Sequence, residues 1–369
     1  DGDGVEEYIV FAQGSSANPL QVLIFRQEED GTCRLMEVIQ SNGSAFEQVE
    51  YVQMDDAPGY ELVVGRQLSD QVLRSVSVYS FSGGSAEQLM MVGYSKFITC
   101  DLDDDGCSEL MVILPGESET GTGSAVLYRV QDGSIERSVE VNVSENASHI
   151  RRITEGRLLG GTPAVFVASA VNESAIVTDV FAWRNDRFSN ISYSRDSDTS
   201  VQTLRNYYVY AEDIDGDGVM ELPSLITMKR ISPEHEEKQK FLIRWFAMDL
   251  EGREMDKLFT FHNYLGGWYM QLASSWAARV SVDQDGGRYT FYVWDEDYRQ
   301  ALDVFSIYVL TGGSREEDAT VDGRFAFYRA EGVVYAAKLE ANAAQFGITE
   351  NQLINSFHLI QQDWKTGET

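Results

Sequence analysis

Three features of the sequence predict an all-β chain assembled from repeats. An acidic, glycine-containing loop recurs, each time just ahead of a short apolar run. Asp-Gly and related turn pairs recur between segments rich in Val, Ile, Tyr, Phe and Trp. The loops return every ~50 residues, a period that belongs to repeat architectures rather than to compact folds without repeats. That period divides the 369 residues into about seven units. With about four short strands in each, the expected arrangement is a β-propeller, whose radial antiparallel blades protect their edges by repetition.

The loops come first. Asp101-Leu-Asp103-Asp104-Asp105-Gly106-Cys107-Ser108-Glu109 leads into Leu-Met-Val-Ile, and Asp213-Ile-Asp215-Gly216-Asp217-Gly218-Val219-Met220-Glu221 leads into Leu-Pro-Ser-Leu-Ile. The chain opens on Asp1-Gly2-Asp3-Gly4-Val5-Glu6-Glu7, before Tyr-Ile-Val-Phe. An eroded copy reads Gln53-Met-Asp55-Asp56-Ala57-Pro58-Gly59-Tyr60-Glu61. The shared glutamates Glu7, Glu61, Glu109 and Glu221 lie 54, 48 and 112 residues apart. The last interval is two periods, and Gly160-Gly161-Thr162-Pro163, with every acid gone, fills the skipped place.

Hairpins complete each unit. Val22-Leu-Ile-Phe-Arg turns at Asp30-Gly31, and Val126-Leu-Tyr-Arg-Val turns at Asp132-Gly133. Later turns fall near Asn185-Asp186, Glu251-Gly252, Asp285-Gly286 and Glu331-Gly332. Glycine supplies the positive φ that tight hairpins need, and the flanking β-branched and aromatic residues favour strands. Residues 1–345 are therefore assigned to the propeller. Residues 346–369 are read as a helical extension packed on it. Thr349 and Gln352 form a capping box there, and Leu353, Ile354, Phe357, Ile360 and Trp364 follow at helical spacing.

Charge and composition limit the function. Against 29 basic residues stand 59 acidic ones, a formal charge of −30, which repels phosphate backbones and excludes nucleic acid as a partner. The same excess would be relieved by bound cations, or it serves solubility alone. Cys33, Cys100 and Cys107 form no CxxC pair and no closed disulfide framework; Cys100 and Cys107 flank one loop as a candidate pair or as free thiols. His235 opens HEEKQ, which lacks the second histidine of a zinc-protease helix. No segment approaches the ~18 apolar residues of a membrane span. Because Asp1 falls inside a motif, the native chain is expected to continue N-terminally.

The loop chemistry points to calcium. The ion takes six to eight hard oxygens, so a tight turn must aim several inward over a few residues. In the two complete copies the ligands expected are Asp101, Asp103, Asp105, the carbonyl of Cys107 and Glu109, and Asp213, Asp215, Asp217, the carbonyl of Val219 and Glu221. Asp1, Asp3 and Glu7 form a partial set. An EF-hand would need glutamate where Val112 and Ser224 stand, and helix where strand is read. A pair of opposed carboxylates for glycoside hydrolysis and plain solvated turns remain as alternatives.

The pattern DxDxDGxxEL before an apolar strand resembles the FG-GAP or VCBS-type repeat of integrin-like propellers and bacterial surface proteins. It is sharp at 101–109 and 213–221 and truncated at 1–7. The resemblance implies a propeller with structural calcium in its acidic loops. The chain is also similar to bacterial surface lipoproteins of Gram-positive gut bacteria, which implies a cell-surface or secreted location and a lipid anchor upstream of Asp1.

Enzymatic signatures are few. No GxSxG elbow, GxxxxGK[ST] loop or strand-borne GxGxxG occurs, and Gly121-Thr-Gly123 sits at a turn. The segment Asn263–Met270 is rich in rings. Tyr264, Trp268 and Tyr269 are read either as a stacking platform for a glycan or protein ligand or as core filling. Asn42, Asn142, Asn146, Asn172 and Asn190 head Asn-X-Ser sequons, which would matter only in a eukaryotic secretory pathway. The function expected is a non-catalytic binding or scaffold propeller outside the cytoplasm. The alternative is a polysaccharide-acting enzyme, lyase or glycoside hydrolase, on the same scaffold.

Overall fold

The computed structural model describes residues 2–14, 20–68, 73–82, 84–116, 122–131, 133–145, 147–171, 174–231, 239–295 and 299–366. Asp1, Gly121, Asp132, Asn146, Asn172 and His235 lie outside the described residues. Among the described residues the chain is all-β with two short helices, and it divides into two compact units: residues 1–204 with 249–252, and residues 205–248 with 253–369.

In the first unit every sheet is an antiparallel meander. β1 (Glu7–Gln13), β2 (Leu20–Gln27) and β3 (Cys33–Ser41) form the first sheet, and β4 (Ala45–Val52), β5 (Glu61–Gln67), β6 (Arg74–Ser80) and β7 (Glu87–Gly93) the second. The third holds β8 (Lys96–Cys100), β9 (Glu109–Pro115), β10 (Thr122–Gln131) and β11 (Ser134–Arg137). The fourth holds β12 (Ala147–Arg157), β13 (Pro163–Val171), β14 (Ala175–Arg184) and β15 (Arg187–Asn190).

The continuous apolar run after each loop is explained by packing on both faces. In β9, Leu110 and Val112 join a cluster with Val63, Val76 and Phe97, while Met111 and Ile113 join one with Val165, Val167 and Phe181. All four side chains are fully buried. A strand covered on both sides needs no polar alternation, so sheets stacked face to face produce the run. β1 is the exception. It lies at the edge of its sheet, and Tyr8 and Val10 are 45% and 46% exposed.

The turns follow the sequence closely. Asn185 and Asp186 both have positive φ, 50° and 57°, in the two-residue hairpin that pairs Arg184 with Arg187. In the copy without acids the loop shortens to a tight turn, closed by Leu158 N–H on Thr162 O (2.8 Å) and Gly161 N–H on Leu158 O (2.9 Å).

The second unit holds β16 (Tyr207–Tyr208) and then two larger sheets. β17 (Glu221–Thr227), β18 (Phe241–Met248), β19 (Glu254–Asn263) and β20 (Trp268–Leu272) form one. β21 (Val280–Asp285), β22 (Arg288–Asp295), β23 (Gln300–Thr311), β24 (Phe325–Ala330) and β25 (Val333–Leu339) form the other, with β25 between β23 and β24. Trp268, Met270, Phe291, Phe305 and Leu353 share the core of this unit. Ahead of the turn at Asp285-Gly286 the chain makes a 3-10 turn, Ser274–Trp276, and the strand starts at Val280. The short helix α1 (Arg315–Asp318) joins β23 to β24.

The C-terminal helix is shorter than its spacing suggests. α2 (Glu350–Ser356) carries the expected capping box, with Gln352 N–H donating to Thr349 Oγ1 (3.3 Å) and Thr349 N–H to Gln352 Oε1 (2.9 Å). Phe357 does not continue the helix. It opens β26 (Phe357–Leu359), which adds to the edge of β20, and β27 (Lys365–Thr366) then pairs with β16. The ring spacing arises because Phe357 enters the core as a strand residue, whereas Ile354 is 39% exposed. Thr349→Ala removes the cap and is expected to cost about 1 kcal/mol, read as a lower urea midpoint.

Candidate metal centres

Loop 101–109 folds around its own side chains. Asp101 accepts the Asp105 N–H on Oδ1 (3.2 Å) and the Gly106 N–H on Oδ2 (2.9 Å), and Asp105 Oδ1 accepts the Cys107 N–H (2.8 Å). Asp104 and Gly106 take the left-handed turn, with φ of 59° and 92°. The curl brings one oxygen each of Asp101, Asp103 and Glu109 within 4.8 Å of one another.

Glu109 is the first residue of β9 and is 3% exposed. Its Oε2 accepts the Leu102 N–H (2.8 Å), latching the loop to the sheet. Burial pushes its carboxyl up to about 7, opposed by that N–H and reinforced by Asp105 and Asp101. Arg129 of β10 reaches in, with Nε and Nη2 at 3.1 and 3.0 Å from Glu109 Oε1, and bonds Asp103 Oδ2. Asp103 Oδ1 is buried with no hydrogen-bond partner.

Loop 213–221 repeats the construction. Asp213 accepts the Asp217 N–H (3.0 Å) and the Gly218 N–H (2.9 Å), Asp217 accepts the Val219 N–H (2.9 Å), and Glu221 Oε2 accepts the Ile214 N–H (3.1 Å). Asp213, Asp215 and Glu221 converge within 4.8 Å. Glu221 is fully buried, its Oε1 has no hydrogen bond, and burial raises its carboxyl to about 7. Lys257 of β19 bonds Asp217 Oδ2 and lies 3.5 Å from Asp215 and 3.8 Å from Glu221 Oε1.

The other copies show what erosion does. At 53–61, Gln53 replaces the first aspartate and closes the loop through its amide, donating to the carbonyls of Asp55 (2.5 Å) and Ala57 (2.6 Å). Glu61 keeps the latch, accepting the Met54 N–H (3.0 Å). In the first copy, Asp3 accepts the Val5 N–H (2.8 Å) and pairs with Arg26 of β2 (2.6 Å), both of which lower its carboxyl.

The sequence-based ligands therefore divide. Asp101, Asp103 and Glu109, and Asp213, Asp215 and Glu221, come together. Asp105 and Asp217 stay outside these sets and instead fix the corners at Cys107 and Val219. Cys100 and Cys107 are free thiols. Trp268 and Tyr269 belong to the core and expose no stacking face: Trp268 is fully buried against Phe357 (5.6 Å), and Tyr269 stacks on His358 (4.9 Å). Tyr264 sits beside Tyr207 (5.5 Å) and His262 (5.4 Å), and burial raises its hydroxyl well above the ordinary value.

Arg129 and Lys257 were invisible in the loop motif. The signal that finds Arg129 is strand register, which sets it opposite Glu109, whereas Lys257 comes from β19, two strands from Glu221, at a register shift.

Fold and site together define an all-β chain with two acidic centres able to hold a metal ion. Among the described residues no helix is long and apolar enough to cross a membrane. No family model and no curated protein matches the sequence. Among solved structures, the chain is similar to an exotype rhamnogalacturonan lyase at 11% identity, over 83% of this chain and 79% of that one, with a TM-score of 0.35. It is similar to a second rhamnogalacturonan lyase at 12% identity, over 92% and 86%, with a TM-score of 0.34. A rhamnogalacturonan lyase of Bacillus licheniformis is similar at 10% identity, over 90% and 80%, with a TM-score of 0.34.

Proposed function

We propose that the chain is a non-catalytic β-propeller scaffold working outside the cytoplasm, with calcium in loops 101–109 and 213–221 and a glycan or protein as its ligand. The observation that carries the calcium assignment is Glu221, a fully buried carboxyl whose Oε1 has no hydrogen bond, faces a cluster of acids and lies 3.8 Å from the ammonium of Lys257. A buried anionic oxygen is stable only with a partner, and an all-carboxylate set suits a hard cation.

A polysaccharide-acting enzyme would need converging carboxylates in a cleft away from these loops. The cleft beside β1, about 540 Å³, draws Glu6 and Glu7 from the first loop, and its third carboxylate, Glu37, accepts the Ala86 N–H (2.7 Å). Glu37 is thus engaged in holding the fold, and Glu6 and Glu7 belong to an acidic loop, which favours the scaffold reading.

Each unit contains one complete loop. With a Kd near ~0.1 mM, typical of extracellular calcium modules, ~2 mM calcium stabilises each by about 1.8 kcal/mol. For a unit of this size that is a rise of about 4–7 °C in midpoint over excess EDTA. Magnesium is expected to give much less. An unchanged midpoint, in protein that metal analysis finds free of calcium, would overturn the assignment.

A further inference from the structure

We infer that each complete acidic loop has a resident counter-cation, a basic side chain held over the loop glutamate, which competes with calcium for the same oxygens and sets the affinity of the site. This deepens the calcium reading and rests on it.

Register supplies the argument. Each loop glutamate opens a strand, so the pairing of the next strand decides what faces it. Arg26 stands opposite Glu7. Leu110 pairs with Tyr128, which sets Arg129 across from Glu109. Leu62 pairs with Tyr79, which sets Ser80 across from Glu61. Ala247 stands opposite Glu221, and Lys257 reaches in from the strand beyond, β19, where it is the extra residue between Asp256 and Leu258 at a register shift.

The distribution is informative. The three loops with aspartate at the fifth loop position, Asp3, Asp105 and Asp217, each receive a base: Arg26, Arg129 and Lys257. The eroded loop has lost its first and fifth acids and receives only a hydroxyl, Ser80 Oγ on Glu61 Oε1 (3.3 Å). Glu61 is nearly as buried as Glu109 and Glu221, at 4% exposed. The base therefore accompanies the acids of the loop, not the buried glutamate.

Each base faces two residues of the converging set in its loop. Arg129 takes Asp103 and Glu109 from the first cluster, and Lys257 takes Asp217 while facing Asp215 and Glu221 of the second. A divalent ion and a fixed cation a few ångströms apart repel, so metal entry must displace the base. The acids stay paired and the loops ordered without metal, at the cost of affinity.

Calorimetric calcium titration of the full chain tests this with Lys257→Met and Arg129→Met, which keep apolar stems and remove the charge. Each is expected to tighten one site about tenfold, the effect of removing one like charge near a divalent ion at a partly screened site. The double variant is expected to tighten both. Lys257→Arg, which keeps the charge, should stay near wild type. The two loops belong to different compact units, so a variant that fails to fold leaves the other to decide. Wild-type binding with unchanged or weaker binding in the Met variants overturns the competition and leaves the calcium sites standing. Wild type and all variants failing to bind calcium overturns both readings.

Discussion

Acidifying the protein from pH 6.5 to about pH 3 is expected to cost the second unit about 3–5 kcal/mol of stability through a single imidazole, that of His262. His262 lies near the end of β19, between the rings of Tyr269 (5.1 Å), Tyr264 (5.4 Å) and Trp364 (5.4 Å). Its Nε2 lies 2.8 Å from Thr260 Oγ1, which accepts the Trp245 indole N–H (2.8 Å). Its Nδ1 has no hydrogen-bond partner. An imidazolium would need acceptors on both nitrogens, and burial pushes the pKa down to about 3. The unfolded chain takes up this proton near pH 6.5, the folded one only near 3. Between those values the unfolded state binds more protons, so stability is complete above 6.5 and declines as pH falls. Urea midpoints of wild type and His262→Gln at pH 7 and pH 4 isolate the contribution from that of the carboxylates. Parallel pH dependences in the two proteins would remove His262 as the cause.

The second large effect concerns Glu221. Replacing it by alanine is expected to abolish calcium binding at its loop and to cost about 2–3 kcal/mol without metal, because the Ile214 N–H loses its acceptor. Glutamine keeps an acceptor for that N–H and removes the buried charge. The carboxyl of Glu221 is raised to about 7, so without metal its ionisation destabilises the fold as pH rises from about 4.5 to 7. Glu221→Gln should therefore equal or exceed wild type in EDTA at pH 8 and fall below it in calcium. Glu61→Ala is the internal control. It releases the Met54 N–H in the same way, but should leave the calcium increment intact. If Glu221→Gln and wild type keep the same ranking with and without calcium, Glu221 is a latch and not a ligand.

What could be read from the sequence was local. Asp101, Asp213 and the glycines after them specify their loops over nine residues, and the Thr349–Gln352 box specifies a helix start over four. The latch to the second residue of each loop is equally local, yet the motif gave no hint that Glu109 and Glu221 bind an N–H as well as facing the cluster. What depends on distant pairing was not legible. Arg129 lies 20 residues beyond Glu109, and Lys257 reaches its loop from a register shift in β19, two strands from Glu221. Trp268 gave the same signal whether exposed or buried, because the sheet that covers it comes from Tyr289 and Phe291, whose packing no spacing rule encodes. The spacing of Phe357, Ile360 and Trp364 imitated a helix because strand and turn residues also return to the core at irregular intervals.

The inner and outer strands of a sheet give the first unit an uneven clock. β5, β9 and β13 have a hydrogen-bonded neighbour on each side, whereas β7, β11 and β15 are bonded among the described residues on one side alone. Half the amides of such an edge strand point away from its partner and lie open to solvent. In deuterated water those protons should exchange within the shortest labelling times, while those of β9, buried on both faces, wait for wholesale opening of the unit.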